Sequence, residues 1–381
     1  MRQRYYLYLL LLFIFLTPFF MKLLWVIQKE RPLSIFVYDK TVLNNNCVEH
    51  QCFYWILNQY KFTKNDNELY DYKKDYFGFF PKDNFKYEIK DLNHFKAKQI
   101  DSIVDKYDVL FLSDNYGIYE EEWTKKQIDN NKSSLIYGGL SKNDVLFIKK
   151  MINKGNLVIG EHNLFGSPTK TKETKETENL FGLEWTGWNG RYFEKLDTTN
   201  NPDLPKWVVK KYMEQNNNGW NFKKGGIIYI NVNGKIVILD KNCLKTRLPI
   251  IVSSKKMMEQ YNVPEQLKYV YWFEINKNIS NPEILAELYV NTNEKGDSIL
   301  NKNGIPKYFP IIFKNYNESI KTYYIAADFS DNKVKTSFSK MKGIKTFKYF
   351  FKSINNHSDP RNLFWYYYEP FISRILLDYS N

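Results

Sequence analysis

Acidic and imidazole side chains follow the ends of several apolar segments, and these residue types suit acid/base chemistry. Glu161 and His162 come directly after the apolar segment 156–160, and Asp114 follows the segment 108–112. Neighbouring carboxyl groups push their pKa values apart, so that one can hold a proton while another accepts one. We therefore predict Glu161, His162 and Asp114 as catalytic residues.

Other polar and aromatic residues are placed to hold a substrate. Aromatic faces stack on sugar rings, and an arginine binds carboxylates with two hydrogen bonds. The predicted substrate-binding residues are Asp39, Glu49, Asn115, Asn163, Trp185, Trp188 and Arg191. Two alternatives stay open: Asp and Asn after strands also serve as turn and cap residues, and the two tryptophans also suit a core corner.

Alternating strand and helix patterns would position these residues. Short apolar segments at 33–38, 108–112 and 156–160 predict buried strands, and helical patterns at 49–60, 99–106 and 141–153 lie between them. This order predicts an α/β fold with a parallel sheet flanked by helices, whose carboxyl-end edge binds ligands.

The second half of the chain carries further elements. Asn233-Gly234 predicts a hairpin between strands 226–232 and 235–240. Strands are also predicted at 269–275 and 322–329, the latter followed by Asp331, and a closing helix at 360–379.

The order of the elements, the polar turn after 156–160 and the late segment TYYIAADFSD resemble the class I glutamine amidotransferase-like superfamily. The resemblance implies a flavodoxin-like fold over about 33–331, with a large insertion and a pocket at this turn. The family's Gly-x-Cys-x-Gly elbow reads here as Gly160-Glu161-His162-Asn163-Leu164, so His162 replaces the nucleophilic cysteine. Thioester chemistry on glutamine is therefore not expected. The predicted domains are an amidotransferase-like domain at 33–245 and a mixed region at 246–381 that completes the same sheet.

The first residues predict a membrane anchor. Residues 5–27 are apolar or aromatic except Thr17, Pro18 and Lys22. As a helix they would extend roughly 34 Å, against about 30 Å for a hydrocarbon core. No small-residue cleavage site follows. We predict a single transmembrane signal-anchor at 5–27, a lipid bilayer as partner, and the bulk of the chain outside the cytoplasm.

The net charge and the absence of certain motifs indicate which classes of partner the chain could bind. The chain has 55 Lys and Arg against 42 Asp and Glu, a net charge of +13. The lysine-rich stretch 333–352 suits an anionic polymer or lipid, or is simply a solvated face. No nucleic-acid, phosphate-loop or dinucleotide motif is present, so neither nucleic acid nor a cofactor is predicted.

The cysteines favour neither a disulfide scaffold nor a metal. Cys47, His50 and Cys52 do not have a zinc spacing, and no metal is predicted. A disulfide between Cys47 and Cys52 stays open.

Two functions are consistent with these observations. The first is binding or processing of a cell-envelope or extracellular glycan. The alternative is a non-catalytic structural or interaction module of an envelope assembly. The sequence leaves open whether the protein is an enzyme.

Overall fold

A computed structural model shows a mixed α/β protein with a large central sheet and helices packed on it. The structure describes residues 2–124, 133–199, 201, 203–217, 219–351, 359 and 361–381. Lys352, at the end of the predicted basic stretch, lies outside this part.

Eighteen strands are formed by the described residues. In chain order they are β1 Arg31–Pro32, β2 Ile35–Asp39, β3 Phe62–Thr63, β4 Phe77–Pro81, β5 Tyr87–Lys90, β6 Val109–Leu112, β7 Ile118–Tyr119, β8 Leu135–Tyr137, β9 Leu157–Gly160, β10 Leu183–Phe193, β11 Gly226–Asn231, β12 Ile236–Asp240, β13 Ile250–Ser253, β14 Gln266–Lys268, β15 Trp272–Asn278, β16 Glu283–Tyr289, β17 Tyr308–Tyr316 and β18 Lys321–Ile325.

The α-helices of the described residues number eleven. They are α1 Arg2–Val26, α2 Val48–Gln59, α3 Ala97–Val104, α4 Glu120–Thr124, α5 Lys142–Asn153, α6 Thr171–Phe181, α7 Lys206–Asn216, α8 Lys255–Tyr261, α9 Glu294–Lys302, α10 Arg361–Leu363 and α11 Glu369–Ser380. A π-helical turn, Phe364–Tyr368, joins α10 to α11, and short 3₁₀ helices occupy Lys241–Cys243, Thr336–Lys340 and Ile344–Phe351.

The central sheet has ten strands in the order β14-β13-β16-β17-β18-β9-β6-β2-β4-β5. Neighbouring strands from β18 to β4 pair in parallel, and all the others pair antiparallel. The predicted parallel, flavodoxin-like sheet is therefore corrected to a mixed one. Strands from beyond residue 246 complete this sheet, because β18 joins β9 directly.

The parallel strands form because they are buried on both faces. All the residues of β2, β6 and β9 are buried, as continuous apolar runs in covered sheets require. On one face α2 packs with Phe53 stacked on Phe111 of β6, the ring centres 3.9 Å apart. Ser141 caps α5, its hydroxyl accepting from the backbone N–H of Asp144.

A second, antiparallel sheet of order β12-β11-β10-β15 crosses the carboxyl ends of the parallel strands. The backbone N–H of Glu274 in β15 donates to the carbonyl of Ala326 at 2.8 Å, and that of Asp328 donates to Trp272 at 2.9 Å. The second sheet thus brings residues of β10 and β15 toward the strand ends.

The predicted transmembrane anchor is wrong. Residues 2–26 form a helix, but within the described residues no helix is long and apolar enough to cross a membrane. The membrane localisation predicted for the chain rested on this span and is withdrawn with it. The predicted bilayer partner of residues 5–27 stays a prediction. Near its end the helix contacts the rest of the protein, where Met21 and Trp25 are buried.

Candidate active site at the strand ends

Three of the predicted site segments lie side by side because the parallel hydrogen-bond ladder continues beyond the strands. The backbone N–H of Lys40 donates to the carbonyl of Asp114 at 2.8 Å, and that of Glu161 donates to Leu112 at 2.9 Å. The turns after β2, β6 and β9 are therefore adjacent.

Asp114 is held by three neighbours. Its carboxylate accepts from the backbone N–H of Tyr116 at 2.7 Å and from the amide of Asn163 at 3.3 Å, and the Thr41 hydroxyl also hydrogen-bonds to it. Burial is the largest effect and raises the pKa of Asp114 to about 7, although these hydrogen bonds oppose it. Asp114 therefore titrates near neutral pH.

Glu161 is almost fully buried, at 1% exposure. One of its oxygens accepts from the backbone N–H of Ser330 at 3.1 Å, and the hydroxyls of Ser330 and Tyr368 also lower its pKa. Burial outweighs these contacts and raises the pKa of Glu161 to about 8. This carboxyl group therefore retains its proton at neutral pH.

His162 is neutral for the same physical reason. Burial lowers its pKa to about 3, and its Nε2 has no hydrogen-bond partner among the described residues. The amide of the fully buried Asn115 likewise has no partner there. Asn163 adopts a left-handed backbone, with φ 69°, and its N–H donates to Glu274 at 3.0 Å.

Six carboxyl groups interact electrostatically at these strand ends, and we call them the strand-end cluster: Asp39, Glu49, Asp114, Glu161, Asp328 and Asp331. Burial, followed by the charge of neighbouring acids, raises the pKa values of Glu49 and Asp328 well above their ordinary range. Burial also raises the pKa of Asp331, but the positive charges of Arg191 and Lys333 oppose the rise. Members of the cluster thus differ in how readily they ionise.

Asp39 contributes to the cluster while pairing with a histidine. Its Oδ2 lies 2.6 Å from Nδ1 of His50, whose Nε2 lies 2.7 Å from the carbonyl of Tyr72. Both ring nitrogens of His50 are therefore engaged. This pair is buried and fixes the beginning of α2 against the end of β2.

The aromatic residues predicted to hold a substrate have different positions. Trp188 is buried in the main core. Trp185 is partly buried and its indole N–H donates to Asn189 at 3.1 Å. Arg191 stacks on Phe193 and Trp272, its Nε has no hydrogen-bond partner in the described part, and its charge acts on Asp331. Arg191 is therefore the predicted substrate-binding residue of this group that interacts with the strand-end cluster.

Sequence reasoning missed several residues that complete this region. The turn after β18 supplies Ser330, whose hydroxyl lies 3.4 Å from that of Ser113, and Tyr368 of the π-helical turn lies beside Glu161. Glu274 hydrogen-bonds to Tyr324 as well as Asn163, and burial raises its pKa to about 7. Ser330 lies within the noted segment TYYIAADFSD and was detectable. Tyr368 and Glu274 reach the region through packing, and no local pattern marks them.

Among the described residues, the cysteines form no disulfide, and no group of acids, cysteines and histidines forms a metal site. Cys47, Cys52 and Cys243 are free and buried. The Cys52 thiol donates to the carbonyl of Ser330, and burial raises its pKa well above the ordinary value. Over the described residues, no group of three or more His, Cys, Asp or Glu side chains is arranged to hold a metal ion.

Two cavities lie away from the predicted catalytic residues. One, of about 260 Å³, is lined by residues that include Cys47, Lys73 and Tyr76. The other, of about 610 Å³, lies at the end of the second sheet and is lined by residues that include Tyr192 and Arg247.

Comparison with known proteins corrects the predicted family. No protein-family model matches the chain, and no curated protein matches it. A solved structure from Bacteroides uniformis ATCC 8492, described as ThuA-like, aligns over 87% of this chain and 96% of its own, with 9% identity and a TM-score of 0.38. A TM-score this low carries no argument. Because no family model matches, the assignment to the amidotransferase-like superfamily is withdrawn.

Proposed function

We propose that the strand-end cluster binds a glycan and hydrolyses a glycosidic bond. The observation that carries the proposal is the contrast within one cluster: Glu161 retains a proton at neutral pH, while the positive charges of Arg191 and Lys333 oppose the rise that burial causes in the pKa of Asp331. A protonated carboxyl group and an ionised one are the acid and base that glycoside hydrolysis needs.

In the proposed reaction Glu161 is the general acid and Asp331 the general base. Glu161 gives its proton to the departing glycosidic oxygen as the bond to the anomeric carbon breaks. Asp331 takes a proton from water, and the water oxygen bonds to that carbon. His162, which is neutral, and Asp114 contact the sugar hydroxyls. Arg191 binds the substrate from the second sheet.

A non-catalytic interaction module is the second candidate. The hydrogen bonds that Asp114 accepts from Tyr116 N–H and Glu161 accepts from Ser330 N–H favour it, because both carboxyl groups then serve the protein's own backbone. In this function the cluster fixes the turns, and a partner binds elsewhere on the surface.

Substitution of the proposed acid separates the two functions. We expect the wild-type protein to release reducing ends from at least one member of a polysaccharide panel, and Glu161→Gln to lower kcat about 10²-fold or more with little change in KM. Glu88→Gln, an exposed glutamate of β5, is the control and should leave kcat unchanged.

Two outcomes would contradict hydrolysis. One is equal activity of the Glu161→Gln and wild-type proteins. The other is glycan-array binding by both proteins without turnover of any panel member, which would favour the interaction module.

A further inference from the structure

The larger cavity, of about 610 Å³, lies where three loops meet at one end of the second sheet. One loop follows β10, one precedes β11 and one follows β12, and the antiparallel pairing of these strands brings the loops together. Its volume falls within the range of about 300–1,000 Å³ usual for small-molecule sites.

Positive charge dominates the lining. Two acids, Glu194 and Asp197, face six basic residues, a net charge of +4. The six are Lys195, Lys223, Lys224, Lys241, Lys245 and Arg247. The five lysines are exposed, and none has an ion pair within 4.0 Å among the described residues. A bound anion would therefore relieve the electrostatic repulsion among these lysines.

The floor of the cavity is preorganised. The Nε of Arg247 donates to the hydroxyl of Tyr192 at 2.5 Å, and another guanidinium N–H donates to Glu194 at 2.6 Å. Gly225 allows this arrangement, because a Cβ there would lie 2.5 Å from the same hydroxyl. The side chain of Arg247 is 62% exposed. These two contacts restrain it in part, which reduces the entropy lost when it binds an oxyanion.

We propose that this cavity, which we call the basic cavity, binds a ligand that carries at least two phosphate or sulfate groups. One group contacts Arg247, and the lysines of the flanking loops contact the others. A single monoanion would leave most of the charge uncompensated. The proposal does not depend on hydrolysis at the strand ends.

Calorimetric titration of the full chain at 150 mM salt tests the basic cavity, with inorganic tripolyphosphate and sucrose octasulfate as separate probes. We expect one or both to bind, and the tighter probe to identify the preferred group. The double variant Lys223→Gln/Lys224→Gln should weaken that binding at least tenfold, and Arg247→Gln should do the same.

A charge-matched control distinguishes the cavity from the overall charge of +13. Lys255→Gln/Lys256→Gln removes two adjacent lysines of α8, which pair with Glu259 and Glu283 outside the cavity. It should change affinity less than twofold. Equal weakening by the two double variants, or no binding of either probe to the wild-type protein, would overturn the proposal.

Discussion

At the scale of single residues, burial decides which carboxyl groups of the strand-end cluster carry a proton. The pKa of Glu161 rises to about 8 from an ordinary value of 4.5 because the charged form is desolvated. The folded protein therefore binds a proton that the unfolded chain releases as the pH rises from about 5 to 8. The free energy of unfolding consequently falls over this window, since the unfolded state binds fewer protons.

We predict that Glu161→Gln weakens this pH dependence, because its amide mimics the neutral acid and does not ionise. From pH 5 to 8 the stability of the variant relative to wild type should rise, by at most about 1.4 kcal/mol per pH unit for one full proton. Urea unfolding at several pH values measures the effect. Parallel stability curves for the two proteins would show that Glu161 does not titrate in this window.

The buried pair of Lys40 and Asp144 gives a second prediction at this scale. The ammonium lies 2.7 Å from the carboxylate and also donates to the carbonyl of Gly139, and both side chains are inaccessible. Asp144→Asn leaves a buried lysine without its counter-charge and should destabilise the protein by about 3–5 kcal/mol in urea unfolding.

The double variant Lys40→Met/Asp144→Asn should lose less stability than the two single variants together, because it leaves no unpaired buried charge. The exposed pair of Lys82 and Glu88 provides the comparison, and Glu88→Gln should cost less than about 1 kcal/mol. Additive losses in the buried pair would contradict an electrostatic coupling.

At the scale of elements, β4 can join β2 only where a glycine permits it. Gly78 has φ +136° and pairs with Asp39, and a Cβ at this position would lie 1.5 Å from the carbonyl oxygen of Asp39. The close approach positions the end of β2, and with it the pair of Asp39 and His50.

We therefore predict that Gly78→Ala destabilises the protein by at least about 1–3 kcal/mol, from backbone strain alone, and perturbs the end of β2. Thermal unfolding measures the loss, and the His50 ring resonances in an NMR spectrum report the change at β2. Gly219→Ala, where no heavy atom lies within 4 Å of the added Cβ, should have little effect. Similar losses for both variants would contradict the steric explanation.

The same scale shows what sequence could predict. The strands at β2, β6 and β9 were predictable, because compact apolar runs between polar turns indicate buried parallel strands. β10 was not, because Gly187 and Gly190 break its pattern. Gly190 is needed there because a Cβ would lie 2.4 Å from the Phe273 ring, a contact between strands about 80 residues apart.

In the candidate site too, some features could be predicted from the sequence and others could not. Asp114 and Glu161 were predictable as neighbours because they follow adjacent strands. Their pKa values depend on burial by distant parts of the chain, and that of Glu161 also on hydrogen bonds from Ser330 and Tyr368. Sequence thus indicated the carboxyl groups, while long-range packing determines their protonation.

At the scale of the whole molecule, the N-terminal helix contacts the α/β body near its carboxyl end. The Trp25 indole donates to the carbonyl of Asn58 at 2.8 Å and Met21 belongs to the main core, whereas Phe13 and Phe15 are exposed. The apolar residues before Met21 that the structure describes as exposed therefore add little to the stability of the body, and exposed apolar area of this kind promotes association.

We predict that a chain beginning at Met21 unfolds at the same temperature as the full chain, within about 2 °C, and associates less in light scattering. Trp25→Ala in the shortened chain should cost about 3–5 kcal/mol, because a buried aromatic side chain and its hydrogen bond are lost. Phe13→Ala in the full chain is the exposed aromatic control and should leave the unfolding temperature unchanged. If the shortened chain unfolded at a markedly lower temperature, residues 2–20 would have to contact the body, and the exposure of Phe13 and Phe15 would not describe the protein in solution.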